Sequence, residues 1–219
     1  MPLFHLDKIS NSNITLGIWN LTETETEFKK LLSEESLAQA REAFPDGVRL
    51  LERLAVLKLL DLLLGDHGAL SHTSTGNPFL EGDYRPVSIS HSKHWVAVAV
   101  SDEPEDVFGI DIQVSSSKTL SVFDRICLRS EAEPFGKEHF KEASLLLFSA
   151  KEAAYKCLDT PGAAYFLERQ RASLGTFQKK GSLRMDYLDE DGKEILQTLK
   201  VRYAFIQDCV LTVAMKSAF

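Results

Sequence analysis

The chain has 219 residues, 44% of them hydrophobic and 9% aromatic, and its formal net charge at pH 7 is −7. This length and composition are typical of a globular protein of one domain or two small ones, and they argue against intrinsic disorder. The acidic balance argues against broad nucleic-acid binding, because neutralising phosphates requires concentrated lysine and arginine.

Membrane and export signals are not evident in the sequence. No apolar run approaches the roughly 20 residues that cross a bilayer, and residues 1–8 lack a basic region followed by an apolar core. We therefore expect a cytoplasmic protein with no membrane partner. The cysteines Cys127, Cys157 and Cys209 are too scattered for a disulfide framework or a zinc site, so we interpret them as reduced packing residues.

The first half of the chain combines strand and helix patterns. Alternation at residues 14–21 predicts a strand, and helical spacing predicts short helices at 28–32 and 36–44 and a longer one at 48–64. Leucines recur at helical spacing through the longer helix, which makes it the main core helix of this half.

A loop and a hairpin complete this half. The loop at 71–86 contains Gly76-Asn77-Pro78-Phe79-Leu80, which predicts a tight turn entering a short strand. Residues 87–92 and 95–100 then predict a buried hairpin. The acidic interruption that follows marks a boundary between an N-terminal subdomain, residues 1–106, and a C-terminal subdomain, residues 107–219.

The second half opens on a strand at 108–113, in which Asp111 and Gln113 share one side and Gly109 permits close approach of another backbone or a ligand. Helices are predicted at 120–129 and 141–158. Three further strands are predicted at 183–188, 196–205 and 210–215.

Each half thus has a long helix followed by a pair of strands. This order predicts an α+β fold of two similar, pseudo-duplicated subdomains. The rival interpretation is coincidence, because a helix followed by a hairpin is common in α+β proteins.

Acid and base share one side of the second long helix. Glu152 and Lys156 are four residues apart, about one turn, and Ser149 extends the same stripe. Most such pairs are solvated surface ion pairs. In the chemical alternative, Glu152 and the strand residue Asp111 converge as oxygen ligands for magnesium, which needs only one or two carboxylates and takes further ligands from water and phosphate.

Several motifs, taken in order, are more specific. Phe108-Gly109-Ile110-Asp111 is followed by Phe148-Ser149-Ala150-Lys151-Glu152-Ala153-Ala154-Tyr155-Lys156. Upstream lie Arg49 at the start of the long helix, the Gly76-Asn77-Pro78 turn and Ile89-Ser90-His91-Ser92. Residues 49–156 thereby resemble the 4′-phosphopantetheinyl transferases, in particular their monomeric, surfactin-type branch.

The resemblance implies a monomer that binds coenzyme A in the cleft between its two subdomains. It implies transfer of the 4′-phosphopantetheine arm to a serine of an acyl or peptidyl carrier protein, with release of adenosine 3′,5′-bisphosphate. Magnesium on the pyrophosphate would be held by Asp111, Glu152 and, as a neutral ligand, Gln113. Glu152 would also help to deprotonate the serine, and Lys156 would stabilise developing charge.

The resemblance also implies a set of residues that bind coenzyme A: Arg49, Asn77, Ser90, His91, Lys93, Lys151 and Lys156. Lys93 is included because it lies beside His91, where it could supply a charge missing elsewhere. Simpler interpretations stay open for two of the residues, since an arginine at a helix start is usually solvated and a histidine in a hairpin is often a neutral cap.

Two positions depart from the branch. Gln113 stands where a second acid is common, and Asn77 replaces the lysine of the usual Gly-Lys-Pro. They leave open a catalytically weak or inactive relative that binds coenzyme A or a carrier protein without turnover. A metal-dependent nucleotide phosphohydrolase would use the same acids and lysine. The basic segment 168–184 could dock the acidic carrier protein, or it could be an ordinary solvated loop.

Overall fold

The structure, a computed structural model, describes residues 3–65, 67–115, 127–158, 168–173, 175 and 177–216. The chain divides into two compact units, Met1–Asp106 and Val107–Phe219. Both combine antiparallel sheets with helices, which confirms the predicted α+β class. The duplication of the two halves and the monomeric state stay predictions. In the described part of the chain, no helix is both long and apolar enough to span a membrane.

The first unit contains six strands and three helices within the described ranges. In chain order they are β1 (Leu3–Lys8), β2 (Ile14–Asn20), α1 (Glu25–Phe28), α2 (Glu34–Ala43), α3 (Gly47–Leu64), β3 (Leu70–His72), β4 (Pro78–Leu80), β5 (Val87–Ser92) and β6 (Trp95–Ser101). Four of the strands form an antiparallel sheet in the order β1-β2-β6-β5, and β3 pairs with β4. The predicted hairpin and long helix are therefore confirmed.

Helix α3 supplies much of the core of the first unit. Its leucines Leu50, Leu54 and Leu57 pack with Val96 and Val98 of β6 in one hydrophobic cluster. The burial of these side chains follows from their helical spacing, which places them along one stripe of α3.

The first short helix begins earlier than predicted. It covers Glu25–Phe28, where the sequence pattern predicts residues 28–32. The reason is a capping box, in which the Glu27 carboxylate accepts from the backbone N–H of Thr24 at 2.8 Å. This reciprocal contact satisfies the backbone donors of the first turn and starts the helix there.

The second unit is a five-stranded antiparallel sheet with a long helix across one face. Its described elements are β7 (Phe108–Val114), α4 (Arg129–Ala132), two short 3-10 turns, α5 (Phe140–Leu158), β8 (Gln170–Ser173), β9 (Lys180–Leu188), β10 (Ile195–Ile206) and β11 (Cys209–Lys216). The strand order is β7-β11-β10-β9-β8. The helix predicted at 120–129 lies largely outside the described residues.

Helix α5 packs on this sheet through the apolar side predicted from its sequence. Leu147, Ala150 and Ala154 join a cluster with inward residues of β9 and β10, such as Leu183 and Val201. The three strands predicted for the final third are confirmed. Sequence patterns do not predict β1, β3 or β8, because edge and very short strands carry too few residues for a clear alternation.

Helix α5 and strand β7 approach closely at Gly109. A Cβ atom at this position would collide with the carbonyl oxygen of Ala153, and it would lie 2.5 Å from the Cys157 nitrogen and 2.8 Å from the Lys156 Cβ. As predicted, Gly109 admits another backbone, that of α5. The missing side chain therefore sets the distance at which α5 presents its polar stripe to β7.

Gly109→Ala is expected to lower the free energy of unfolding by about 1–3 kcal/mol or more, the usual effect of overpacking a core. Chemical denaturation measures this change. Gly175→Ala is the matched control, because a Cβ atom there meets nothing within 4 Å. Equal stability of the two variants would show that α5 moves away from β7 at no cost, and that the close approach does not constrain the site.

Candidate active site

Asp111 lies on β7 and its carboxylate contacts two side chains of α5. Ser149 Oγ donates to Oδ2 at 2.8 Å, and Lys156 Nζ donates to Oδ1 at 3.1 Å. Lys156 Nζ also donates to the carbonyl oxygen of Ile110 at 3.0 Å. Asp111 is only 5% exposed, so these contacts replace the water that its charge would otherwise need. The carboxylate is thus held in one orientation.

Thr212 of β11 completes this arrangement from the neighbouring strand. It is fully buried and lies directly opposite Asp111 in the register of β7 and β11. Its Oγ1 lies 2.9 Å from Ser149 Oγ and 3.0 Å from the Ser149 carbonyl oxygen. Thr212 is not among the site residues predicted from the sequence, although it is the one hydroxyl residue in the apolar run 209–215.

Glu152 lies on the same side of α5 but is in a different electrostatic situation. It is partly buried, and no described residue donates a hydrogen bond to its carboxylate. Burial raises the pKa of Glu152, the negative charge of Asp111 raises it further, and the charge of Lys156 lowers it. The net shift is upward. Glu152 is therefore a carboxylate whose negative charge is only partly compensated.

Lys156 pairs with Asp111 and not with Glu152. The described residues contain no ion pair between Glu152 and Lys156, so the solvated surface pair that the four-residue spacing suggested is not formed. Lys156 reaches across to the strand because Gly109 brings β7 next to this turn of α5. The convergence of Asp111 with the stripe of α5 agrees with the chemical interpretation of the helix.

The donor set suits a divalent cation. Two carboxylates, those of Asp111 and Glu152, are present, and the negative charge of Glu152 is only partly compensated. Gln113 lies on the side of β7 that carries Asp111. Its Nε2 lies 3.5 Å from the Val114 carbonyl oxygen. The described ranges hold no group of three or more His, Cys, Asp or Glu side chains placed so that they could bind one metal ion. Two carboxylates plus oxygens from water and a phosphate ligand make the set that magnesium commonly accepts.

Lys151 is turned away from this group. Its side chain is fully buried, and Nζ donates to Glu131 Oε2 and to the Gln170 carbonyl oxygen, both at 3.0 Å. Glu131 also accepts from the backbone N–H of Ala172 at 2.7 Å. This geometry does not support the predicted phosphate contact of Lys151. Adjacent helical residues point about 100° apart, so Lys151 and its neighbour Glu152 face different surroundings.

The remaining predicted residues lie in the first unit. Asn77 is in the β3–β4 loop, where its N–H donates to Thr73 Oγ1 at 3.1 Å. Ser90, on β5, is buried. Lys93 occupies the turn of the β5–β6 hairpin with a φ of 54°, a left-handed conformation that is uncommon for lysine. The hairpin thus presents an exposed lysine two residues after His91.

Glu52 brings Arg49 and His91 to one carboxylate. Glu52 Oε1 lies 3.3 Å from His91 Nδ1, and Oε2 lies 3.9 Å from Arg49 Nε. Arg49 is exposed near the start of α3, and Glu52 follows it by one turn with only 12% of its side chain exposed. Glu52 is not among the site residues predicted from the sequence, although its spacing from Arg49 places the two on one side of the helix.

Basic side chains gather on the face of the second sheet that points away from α5. Inward residues of β9 and β10 join the α5 cluster, so their neighbours in each strand point outward. The register places Lys200 opposite Arg184, and Arg171 opposite Asp186. We call the following residues the outer basic face: Arg171, Lys180, Arg184, Lys200 and Arg202.

Two other cations of the basic segment have different roles. Arg169 donates twice to the Leu188 carbonyl oxygen and stacks over the ring of Tyr187 at 4.6 Å. Lys179 lies 3.7 Å from Glu142 and over two phenylalanine rings. The basic segment is therefore divided between structural contacts and the outer basic face, to which β10 adds Lys200 and Arg202.

Asp111, Glu152 and Thr212 lie on facing elements within one segment of the second unit that matches a known family. Residues 107–214 match the 4′-phosphopantetheinyl transferase superfamily. The match to this superfamily implies a transferase of the phosphopantetheinyl kind and runs from β7 into β11. No curated protein matches the chain. The motifs of the first unit lie outside the matched residues, so the surfactin-type branch stays a prediction.

Glu152→Gln is expected to stabilise the metal-free protein at neutral pH. The pKa of the Glu152 carboxyl is raised above its ordinary value of 4.5 in the folded protein. At pH values between the pKa of the unfolded state and that of the folded state, the folded state therefore binds more protons. Stability therefore falls as the pH rises through that window. The amide does not titrate, so the variant should have the higher midpoint of thermal unfolding above the window and no advantage below it.

The midpoints are measured by circular dichroism over a pH series with a chelator present. Added magnesium should then raise the midpoint of the wild-type protein more than that of the variant, because a cation that binds the folded state stabilises it. A variant that is less stable than the wild type at neutral pH would contradict the proposed charge deficit.

Proposed function

We propose that the protein transfers the 4′-phosphopantetheine arm of coenzyme A to a serine hydroxyl of an acyl or peptidyl carrier protein and releases adenosine 3′,5′-bisphosphate. The observation that carries the proposal is the pairing of two different carboxylates within the matched segment. Asp111 is fixed by Ser149 and Lys156, whereas Glu152 has a raised pKa and no described hydrogen-bond donor.

Glu152 is also assigned as the group that accepts the proton of the serine, since its carboxylate has no described hydrogen-bond donor that would compete for that proton. The serine oxygen forms a bond to the phosphorus that carries pantetheine, and the bond from that phosphorus to the bridging oxygen breaks. Adenosine 3′,5′-bisphosphate leaves with the electron pair of the broken bond.

Magnesium would be held by Asp111 and Glu152, with Gln113 as a neutral oxygen ligand, and when bound it neutralises charge on the pyrophosphate. Lys156 is already oriented by Asp111 and by the Ile110 carbonyl oxygen. Its ammonium is therefore positioned before coenzyme A binds, which supports a role in stabilising developing negative charge. Lys151 is not part of this proposal.

Coenzyme A binding is assigned to residues of the first unit as well. Arg49 and His91 supply groups that donate to phosphate oxygens, and their shared contact with Glu52 supports a joint role. Asn77, Ser90 and Lys93 complete the assignment. Lys93 is exposed in its turn, where it can supply the charge that Asn77 lacks.

The reaction predicts a mass increase on a carrier protein. The purified protein is mixed with coenzyme A, magnesium and several unmodified carrier proteins, and intact-mass spectrometry detects the phosphopantetheine arm on serine. Glu152→Gln should lower the rate by about 100-fold or more, because it removes a metal ligand and a proton acceptor together. The control Glu190→Gln removes an exposed acid from the β9–β10 loop and should keep full activity.

The same samples separate the alternatives. Coenzyme A binding without modification of any carrier would replace the proposal with the binding-only relative that Gln113 and Asn77 suggest. Release of inorganic phosphate or pyrophosphate would favour a phosphohydrolase. Equal rates for Glu152→Gln and the control would remove Glu152 from the site.

Docking of the carrier protein is assigned to the outer basic face. The chain as a whole carries a charge of −7, so an acidic carrier is repelled by most of the molecule and attracted where cations gather. Five basic side chains lie on this face, and Asp186 on the same face is bound to Arg184 and to Thr198 Oγ1. The net positive charge of this surface complements an acidic partner.

Reversing charge at Arg171 and Lys200 should slow modification of the carrier about tenfold at low salt and leave the binding of coenzyme A unchanged, because rim charges act mainly on association. The control reverses Lys137 and Lys193, two exposed lysines outside the outer basic face, and changes the net charge equally. Steady-state rates over a salt series and calorimetry with coenzyme A measure the two effects. Equal slowing of both variants would contradict docking at this face.

A further inference from the structure

Arg53 is a buried cation of helix α3 that has no acidic partner among the described residues. It is only 8% exposed, and its guanidinium takes part in no ion pair with any described residue. Burial lowers the pKa of Arg53. Buried charges in proteins are normally paired with an opposite charge. Arg53 is therefore a positive charge that the described part of the chain does not neutralise.

The hydrogen bonds of the Arg53 guanidinium are also incomplete. Nη2 donates to the carbonyl oxygen of Leu70 at 2.6 Å. Nε is buried and has no partner in the described ranges, and the same ranges offer no acceptor to Nη1. A guanidinium has five N–H donors in a fixed plane. One N–H on Nε and two on Nη1 thus stay available to an acceptor that these ranges do not supply.

The side of strand β3 that meets α3 adds a histidine to this arginine. Leu70 and His72 are two residues apart, so their side chains share one side of β3, and Leu70 packs in the same cluster as α3. His72 is exposed at the end of β3. Partial burial of its ring lowers the pKa of His72, and the positive charge of Arg53 lowers it further. The nearby acid Glu81 accepts from Ser71, whose side chain lies on the opposite side of β3.

We propose that Arg53 and His72 form a binding site for one phosphate group. A phosphate group carries negative charge on several acceptor oxygens, so it would neutralise the guanidinium and accept from its unused donors together. The bond from Nη2 to the Leu70 carbonyl oxygen orients the guanidinium before the anion arrives. His72 adds a second donor at the exposed end of β3.

Two sources can supply this phosphate group. Arg49, which is assigned to coenzyme A, precedes Arg53 by about one turn on the same side of α3, and His72 pairs in register with Pro78, next to Asn77. A phosphate of coenzyme A is therefore one source, and this identification rests on the proposed function. Inorganic phosphate or another free phosphate ester is the second source, for which the site does not depend on that function.

The first test uses sulfate, which resembles a phosphate group in shape and charge and does not titrate near neutral pH. Thermal unfolding of the full-length protein is measured in sodium sulfate and in sodium chloride of equal ionic strength. Sulfate stabilises folded proteins in general, so the quantity compared is the saturable part of the rise in midpoint, which reports binding to the folded state. The wild type should show this saturable rise, and Arg53→Gln should lose it.

The control Lys30→Gln removes an exposed cation of the same unit and should keep the saturable rise. Arg53→Met, which fills a similar space without any donor, repeats the comparison if the glutamine variant does not fold. A rise of the same size in the Arg53 variants and in the control, or no saturable rise in the wild type, would overturn the proposal.

The His72 ring reports on the same site by NMR titration, with assignment by His72→Gln. Because the charge of Arg53 lowers the His72 pKa, a bound anion should move the titration midpoint to higher pH. Sulfate should therefore raise the midpoint in the wild type relative to chloride, and this difference should disappear in Arg53→Gln. A residue that only supports β3 through Leu70 would leave the wild-type midpoint equal in the two salts, which would contradict the proposal.

Calorimetry with coenzyme A and with dephospho-coenzyme A, which lacks the 3′-phosphate, identifies the source. If coenzyme A supplies the group, Arg53→Gln should bind it about tenfold more weakly than Lys30→Gln does, the effect of losing charge-assisted hydrogen bonds to phosphate. A difference that vanishes with dephospho-coenzyme A assigns the 3′-phosphate, and one that persists assigns the pyrophosphate.

The outcomes for the site and for the proposed function are separate. A sulfate effect that depends on Arg53, together with equal binding of coenzyme A by both variants, would assign the site to free phosphate. The same sulfate effect in a protein that binds no coenzyme A would refute the proposed function and leave the phosphate site intact. Carrier modification with no sulfate effect and no loss of coenzyme A binding in Arg53→Gln would refute the phosphate site alone.

Discussion

The ion pair between Lys156 and Asp111 is the contact on which the candidate active site depends. It joins helix α5 to strand β7 at 3.1 Å, next to the glycine that permits their approach. An unpaired charge is costly at a site as buried as Asp111, so the pair and the Ser149 hydroxyl hold the strand and the helix in one relative position. Folding of the second unit therefore assembles the polar groups of the site.

The same pairing explains why two neighbouring carboxylates differ. Lys156 has one ammonium, and it lies against Asp111. Glu152 is partly buried and lies near the like charge of Asp111, and both burial and this charge raise its pKa. In the first unit one carboxylate, Glu52, lies near both Arg49 and His91.

Sequence periodicity predicts the helices and strands of the molecule more fully than it predicts the side-chain contacts between them. The long helices, the β5–β6 hairpin and the stripe of Glu152 and Lys156 follow from local spacing, and the ordered motifs indicate the family of the second unit. Spacing shows which residues share a side of a helix but not which strand that side meets. The partner of Lys156, the inward turn of Lys151 and the contribution of Thr212 all depend on pairing between distant segments, which a single sequence does not encode locally.

The contrast between Lys151 and Glu152 has a consequence for how α5 is oriented. The ammonium of Lys151 is bound by Glu131 and Gln170 on one side of the helix. Lys156 lies five residues later, about 140° away around the helix axis, and is bound by Asp111. Two electrostatic anchors at different angles prevent rotation of the helix about its own axis. The direction in which Glu152 points is thereby determined by residues that it does not touch, and the angular alignment of α5 is a property shared between the core and the site.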